Sequence, residues 1–423
     1  MKKKTLEILK EVLEEIKPSK EEEKEIKKSL NEFLEEIRKN IKKLKIDLEI
    51  FVGGSFAKGT MIKTKKYDVD VFFRFDRKYK KEISNLTGKI LKGFTKTKVH
   101  GSRDYFRVNI GPSFVIEIIP VKKIKNQKEA ENITDLSYSH VNYVKRKLKS
   151  NKILDEIRIA KAFCHANNCY GAESYIKGFS GYGLELLVYH YKGFLKFIKA
   201  VGKIKDKEVV DIEKQFKNKQ EILMDLNGSK LLSPIVLIDP TYKQRNALAA
   251  LSEETFEKFK KECAKFLKNP DLNSFKEKRH DLEKIKKAAL KKKLEFVLIE
   301  AKTNKQKGDV AGSKLLKFYN HLEDEIKEYF QITNKGFEYD EGKPAKFFFV
   351  TKRKKEIISK GPKVKDKKNT AKFKKRHKRT FTRAGRLYAR EKINFKIKGF
   401  LKSWKVKNKK RMKEMSISKL KII

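Results

Sequence analysis

The turn Gly53-Gly54-Ser55-Phe56-Ala57-Lys58-Gly59-Thr60 and the strand-like Asp68-Val69-Asp70-Val71 that follows it hold the residue types best suited to chemistry. Side chains alternate across a strand, so Asp68 and Asp70 project from one face while Val69 and Val71 point to the other. Two neighbouring carboxylates repel unless a cation lies between them. Hard oxygen ligands of this kind suit Mg²⁺, which completes its octahedron with water and phosphate oxygens. A solvated acidic edge strand would carry the same bare pattern, but the turn upstream points to phosphate. There Gly53 and Gly54 allow close backbone approach, Ser55 adds a hydroxyl donor and Lys58 adds positive charge. A third acid, Glu117, sits within Phe114-Val115-Ile116-Glu117-Ile118-Ile119. An unpaired carboxylate buried there is costly, so Glu117 needs a cation unless an edge position lets it reach water.

These groups need a small mixed α/β scaffold, and the hydrophobic pattern supplies one. Apolar residues recur at helical spacing from Thr5 to Lys45, interrupted at Lys17-Pro18-Ser19, which predicts two helices. Strands are expected at Leu48–Val52, Val69–Phe75 and, after a turn at Gly111-Pro112, Phe114–Ile119. Helical periodicity returns at 141–148, 154–167 and 183–200, suggesting an all-helical middle domain, with a further helix from Glu254 to Leu267. A strand, helix, strand pattern (Phe296–Ile299, Leu315–Phe330, Phe347–Val350) predicts a second α/β module, and a strongly basic stretch follows it.

A chain of 423 residues exceeds one ordinary core. The expected fold class is α+β and multidomain. The reading divides it into a catalytic head (1–130), a helical middle domain (131–245), a body segment (246–292), a basic module (293–395) and a C-terminal segment (396–423). With 106 Lys and Arg against 55 Asp and Glu, the net charge is +51, which calls for a polyanionic partner. Part of the excess is an ordinary Lys-rich solvated surface, and composition alone leaves RNA, DNA and anionic membrane open. The three cysteines form no C-x-x-C pair, arguing against a zinc ribbon or a disulfide scaffold. No apolar run approaches the ~20 residues of a spanning helix, and the N-terminus lacks a signal-peptide core. A soluble, cytoplasmic protein is expected.

The G-G-S turn, the D-h-D-h strand and the later acidic strand residue resemble the nucleotidyltransferase superfamily of DNA polymerase beta. The G-G-x-V-R-D turn of bacterial-type CCA enzymes is absent. Further segments make archaeal-type CCA-adding enzymes, which are tRNA nucleotidyltransferases, the specific resemblance. Asp135 to His140 resembles their D-x-T/S-x-x-H segment, and Glu156 to Phe163 with Tyr170-Gly171-Ala172-Glu173 resembles E-V-R-L-L-K-x-F and Y-G-A-E. Lys177 to Tyr182 with Glu185-Leu186-Leu187 looks like R-G-F-S-G-Y-x-x-E-L-L, and Asp239-Pro240 with Arg245-Asn246 looks like D-P-x-x-x-x-R-N. Gly361-Pro362 and Gly385 to Arg390 are similar to the tail elements G-P and G-R-x-Y-A.

The resemblance implies a polymerase-beta-like head with a mixed sheet, a helical middle domain and a C-terminal α/β body and tail. It implies CMP, CMP and AMP transfer from CTP and ATP to the tRNA 3′-hydroxyl, with Asp68, Asp70 and Glu117 as catalytic metal ligands for Mg²⁺. Ser55, Lys58, His140, Lys161 and Tyr170 would hold triphosphate and ribose. Arg245 would help select the base, and His100 would border the same region. Lys161 lies on the apolar helix stripe of Leu154, Ile157 and Cys164, where a lysine either faces a polar cleft or snorkels along a packed face. The basic module would read the acceptor stem and TΨC arm through phosphates and 2′-hydroxyls. Its Phe373, Phe381 and Tyr388 would stack on RNA or pack inside. A homodimer is compatible with the resemblance. Glu117 stands where the family usually has Asp, Lys58 where some relatives have Arg, and the chain after residue 395 is shorter and more basic than theirs. The rival readings are a poly(A) or oligoadenylate synthase of the same superfamily and an inactive RNA-binding scaffold; the latter predicts loss of a carboxylate, and all three acids are present.

Overall fold

Pro18 stops the N-terminal periodicity, and a helix forms on either side of it: α1 (Lys2–Ile16) and α2 (Lys20–Leu44). Ser19 caps the second, its hydroxyl accepting from the Glu22 N–H while the Glu22 carboxylate accepts from the Ser19 N–H. The computed structural model describes every residue except Met1, Lys65, Lys80, Lys81, Ser102, Pro112, Ser113 and 304–306, so the proline of the expected Gly111-Pro112 turn lies outside the described residues.

The two helices serve different cores. Ile26, Leu30, Phe33, Leu34 and Ile37 of α2 pack beneath the head sheet. Ile8, Leu9 and Val12 of α1 enter the core of the middle region instead, so the first helix of the expected 1–130 head lies with 131–245. The head comprises β1 (Leu48–Val52), α3 (Gly54–Lys58), β2 (Tyr67–Phe75), α4 (Ile83–Ile90), β3 (Lys96–Val99), β4 (Tyr105–Asn109) and β5 (Phe114–Lys122). Its sheet runs β1-β2-β5-β4-β3, with β2 and β5 parallel and the other neighbours antiparallel. Val69, Val71, Phe73, Phe106, Ile116 and Ile118 bury one face against α2 and α4. Side-chain alternation therefore leaves Asp68, Asp70, Arg107 and Glu117 on the other.

The middle region holds α5 (Ser137–Lys147), α6 (Asn151–Ala166), α7 (Gly181–His190), α8 (Phe194–Val201), β6 (Glu208–Val210), α9 (Lys219–Asp225), β7 (Ile235–Asp239), β8 (Tyr242–Asn246) and α10 (Glu253–Lys268). The all-helical expectation needs correction, because β6, β7 and β8 form a three-stranded sheet. The helix expected over 183–200 is two helices, broken where Lys192 and Gly193 take φ values of 58° and 125°. Glu156 restarts the second by accepting the Phe194 N–H at 2.7 Å.

The chain divides into units Met1–Lys278 and Arg279–Ile423, a boundary inside the expected 246–292 body segment. Phe256, Phe259 and Phe266 of α10 belong to the middle core, whereas α11 (Leu282–Lys291) packs in the second unit. That unit continues with β9 (Glu295–Thr303), α12 (Gly308–Tyr329), β10 (Phe330–Glu338), β11 (Ala345–Arg353), β12 (Glu356–Lys363), α13 (Lys367–Arg376), β13 (Thr380–Arg383), β14 (Arg386–Lys392), α14 (Ile397–Lys407), α15 (Lys409–Glu414) and β15 (Ile417–Ile422). The sheet β10-β11-β9-β15 is covered by α12 and α14. Because β15 pairs with β9, residues 396–423 complete the sheet opened at Glu295 instead of standing apart. A second sheet, β12-β14-β13, aligns Phe381 with Tyr388, their rings stacked at 5.5 Å. Among the described residues, no helix is long and apolar enough to cross a membrane.

Candidate active site

The turn after β1 is built around glycine because the Asp70 carboxylate occupies the space a side chain would take. A Cβ on Gly54 would lie 1.8 Å from Asp70 Oδ2, and Gly54 has φ +63°. A Cβ on Gly53 would lie 2.4 Å from the Phe72 ring, while the Gly53 N–H donates to the Asp70 carbonyl at 2.8 Å. The short helix α3 then carries Ser55 and Lys58 and ends at Gly59, with φ +67°.

Parallel pairing sets Asp70 beside Glu117, and Asp68 lies two residues away on the same face. Burial and the negative charge of Glu117 push Asp70 up to about 7, with Lys58 pulling the other way and Asp68 adding to the rise. Arg107, one strand further, donates its Nε–H to Glu117 Oε1 at 2.7 Å. Among the described residues no three His, Cys, Asp or Glu side chains close into a finished metal cluster. The donor set is still of the right kind for a hard cation: it is all oxygen, it is shared by two adjacent strands, and its central carboxylate suffers a repulsion that a cation relieves.

Facing these acids is a buried charge cluster. Glu185, fully buried on α7, accepts from Lys58 at 2.6 Å on Oε2 and from Lys161 at 2.8 Å on Oε1, where Thr60 also donates at 2.8 Å. Burial alone would raise the Glu185 pKa, but Lys161 and Lys58 outweigh it and hold it at about 2. Lys161 is 3% exposed and also donates to the Thr60 hydroxyl at 2.8 Å. The stripe position of Lys161 thus resolves into a buried ion pair. Two ammoniums against one carboxylate leave net positive charge beside the acidic face, and both lysines act electrostatically on Asp70. Tyr170 stacks on His165 at 4.0 Å and feels the charges of Glu185 and Lys58.

A second carboxylate organises the remaining candidates. Asp239, at the end of β7 and fully buried, meets His140 Nε2 at 2.8 Å and Arg245 at 2.7 Å on Oδ2. The Tyr182 hydroxyl at 3.1 Å and the Thr241 N–H and hydroxyl, each at 2.8 Å, donate to Oδ1. Burial pushes the Asp239 pKa up, but the His140 bond and the His140 and Arg245 charges drive it well below the carboxylate range. His140 stacks on Tyr182 with ring centroids 4.1 Å apart, and burial lowers its pKa. The charge of Lys58 reaches His140 as well, tying this group to the first cluster.

Lys58, Lys161 and Tyr170 thus gather around Glu185, and His140 and Arg245 around Asp239, with the two lysines acting on Asp70; Ser55 lies in α3, one turn before Lys58. His100 stands apart: its side chain is 72% exposed and bonds Asp104 at 2.8 Å. Glu185 and Asp239 were not singled out from sequence as site residues, although each lies in a motif noted there. Asp135 proves to be a scaffold group. It binds Arg103 and accepts the N–H groups of Lys122, Glu131 and Asn132, fixing the turn that aims α5 and His140.

Two family profiles match: a tRNA nucleotidyltransferase second domain over residues 155–276, and a Second Messenger Oligonucleotide or Dinucleotide Synthetase domain over residues 3–145. The CCA-adding enzyme of Nanoarchaeum equitans is 42% identical over 211 residues, covering 49% of this chain and 52% of that protein. Those of Pyrococcus abyssi (31% over 239 residues, 54% and 52%) and Saccharolobus islandicus (29% over 291 residues, 67% and 65%) also match. The aligned stretch therefore spans about half to two thirds of these curated relatives. Among solved structures, a cytoplasmic RNA terminal U-transferase superposes with a TM-score of 0.51 at 16% identity, covering 66% of this chain and all of that one. A poly(U) polymerase superposes at 0.50, also at 16% identity, over 64% and 98%. These likenesses show a fold of the polymerase-beta-like nucleotidyltransferase type.

Proposed function

We propose that this chain is an archaeal-type CCA-adding enzyme, which builds and repairs the 3′-terminal CCA of tRNA, without a template, from CTP and ATP; its likeness to CCA-adding enzymes and to a tRNA nucleotidyltransferase second domain supports this reading. The observation that carries the proposal is the facing of two opposite charge sets. Asp68, Asp70 and Glu117 share one sheet face, and Lys58 and Lys161, held by Glu185, act on Asp70.

In this reading Asp68, Asp70 and Glu117 hold Mg²⁺. Bound there, the ion supplies charge neutralisation at the triphosphate and acidifies the RNA 3′-hydroxyl. The protein does the positioning. Ser55 and the Gly53-Gly54 turn receive phosphate, Lys58 and Lys161 offset the charge of the pyrophosphate leaving group, and Tyr170 and His140 border the ribose. Arg245, fixed by Asp239, presents donors to the base; selection without a template requires a rigid pocket of this sort. The second unit, with Phe381 and Tyr388 stacked beside Arg390, would hold the acceptor stem and TΨC arm. A cytoplasmic location and a homodimer belong to the same reading.

The deciding assay gives full-length protein Mg²⁺, labelled CTP or ATP, and tRNAs lacking three, two or one terminal nucleotides, beside an Asp70→Ala control. Ordered C, C, A addition that stops, and that vanishes in the control, is expected. The match of residues 3–145 to a synthetase of oligonucleotide messengers favours one rival, another nucleotidyltransferase of the same fold. Long homopolymer tails or short RNA-independent oligonucleotides would establish that rival instead.

A further inference from the structure

The side of the head sheet away from the carboxylates carries an open recess of about 410 Å³ that the transfer reaction does not use. Its wall is formed by Asn85, Lys89 and Lys92 in and just after α4, and by Lys96 and Lys98 on β3, with Phe106 as floor. Strand register fixes its location. Lys98 pairs with Phe106 and Phe106 with Ile118, a residue of the core under α2 and α4. Arg107, the next residue, points to the catalytic face to meet Glu117.

Four ammonium groups line this concavity, and the counter-charge is thin. Lys98 pairs with Asp104 at 2.7 Å, but Asp104 also bonds His100 at 2.8 Å. Lys96 donates to the Leu91 carbonyl at 2.8 Å, and Lys89 and Lys92 have no carboxylate partner among the described residues. Four lysines set against the one carboxylate of Asp104, which also bonds Ser84 and His100, repel one another, a cost relieved by an anion with several charged oxygens. The volume is within the range of ligand-holding clefts. Phe106 is buried and offers no free ring for stacking a base, so phosphate is what the wall recognises.

The geometry points to a second phosphate-binding site, whose occupant is the backbone of the RNA substrate. The recess opens beside β3, the edge strand of the sheet, where an extended polyanion can run past the head. The choice of RNA as occupant rests on the functional reading above; the affinity for phosphate does not.

The test compares full-length wild type with Lys89→Glu/Lys92→Glu and with a control of equal charge change, Lys24→Glu/Lys27→Glu on α2. Binding of labelled tRNA lacking CCA is followed against salt, and binding of radiolabelled pyrophosphate is measured by dialysis in EDTA. The recess variant should bind tRNA about tenfold more weakly, with the slope of log K against log salt reduced by about 1.4 to 1.8, as expected for two lost phosphate contacts; the control should change much less. Lys89→Gln/Lys92→Gln should show a smaller loss of the same kind and covers the case in which charge reversal impairs folding. Pyrophosphate binding lost in the recess variant with an unchanged tRNA slope would keep the phosphate site and replace its occupant by a free phosphate compound. Equal behaviour of recess and control variants toward both probes overturns the site. CCA addition by the wild type in the same preparations judges the functional reading separately.

Discussion

Lys161 donates to Glu185 at 2.8 Å with both side chains sealed from solvent, and the other oxygen of the same carboxylate holds Lys58 at 2.6 Å. Because Lys58 belongs to the head turn and Lys161 and Glu185 to middle helices, one buried carboxylate joins the head to the middle region.

Glu185→Gln keeps the shape but leaves two buried ammoniums without their counter-charge. Breaking a buried pair in this way costs about 3–5 kcal/mol, so denaturant unfolding should shift by that order and KM for CTP and ATP should rise. Wild-type stability together with wild-type KM would show that the cluster is not formed in solution.

The same carboxylate predicts a pH dependence. Its pKa is held at about 2 in the folded chain against 4.5 for an ordinary glutamate, so its contribution is full above pH 4.5 and is lost as pH falls through about 2. The stability gap between wild type and Glu185→Gln should therefore be constant near neutrality and narrow in acid. Denaturant midpoints from pH 7 to 2 check this, and a gap that widens in acid would contradict the assigned ion pairs.

Gly54→Ala places a methyl group where Asp70 Oδ2 now sits and strains a residue at φ +63°. A stability loss of about 1 kcal/mol is expected from the backbone alone. Nucleotide transfer should fall at least about 100-fold, the order seen when one preorganised charge-stabilising group is lost. Single-turnover incorporation beside a melting curve separates the two effects.

Asp239→Asn can no longer serve as an acidic acceptor for His140, Arg245, Tyr182 and Thr241 together. If Arg245 reads the base, preference for CTP and ATP over UTP and GTP should decline about tenfold, within the range that loosened pocket contacts produce. Competition between correct and incorrect nucleotides measures this. A uniform drop in all four rates, with discrimination intact, would reduce Asp239 to scaffold.

Much of this was legible in the sequence. Alternation put Asp68 and Asp70 on one face, the double glycine marked the close approach to Asp70, and the proline at position 18 separated two helices. The sheet β6-β7-β8 was missed because its strands are short, although the run Ile235-Val236-Leu237-Ile238, bounded by Pro234 and Pro240, was a usable signal. The break at Lys192 and Gly193 was hidden by apolar periodicity on both sides.

By itself, then, the sequence determined most of the local elements, the candidate acids on one sheet face and the family resemblance, because these depend on residue type and short-range spacing. Only the tertiary structure decided which core α1 joins, that Lys161 is buried with Glu185, that Asp239 gathers His140 and Arg245, and that four lysines meet behind the sheet. An amphipathic stripe states that a face will be buried but not against what. The partner of a charge is likewise set by where distant segments pack: Glu185 meets a lysine 127 residues away, and Asp239 a histidine 99 residues away.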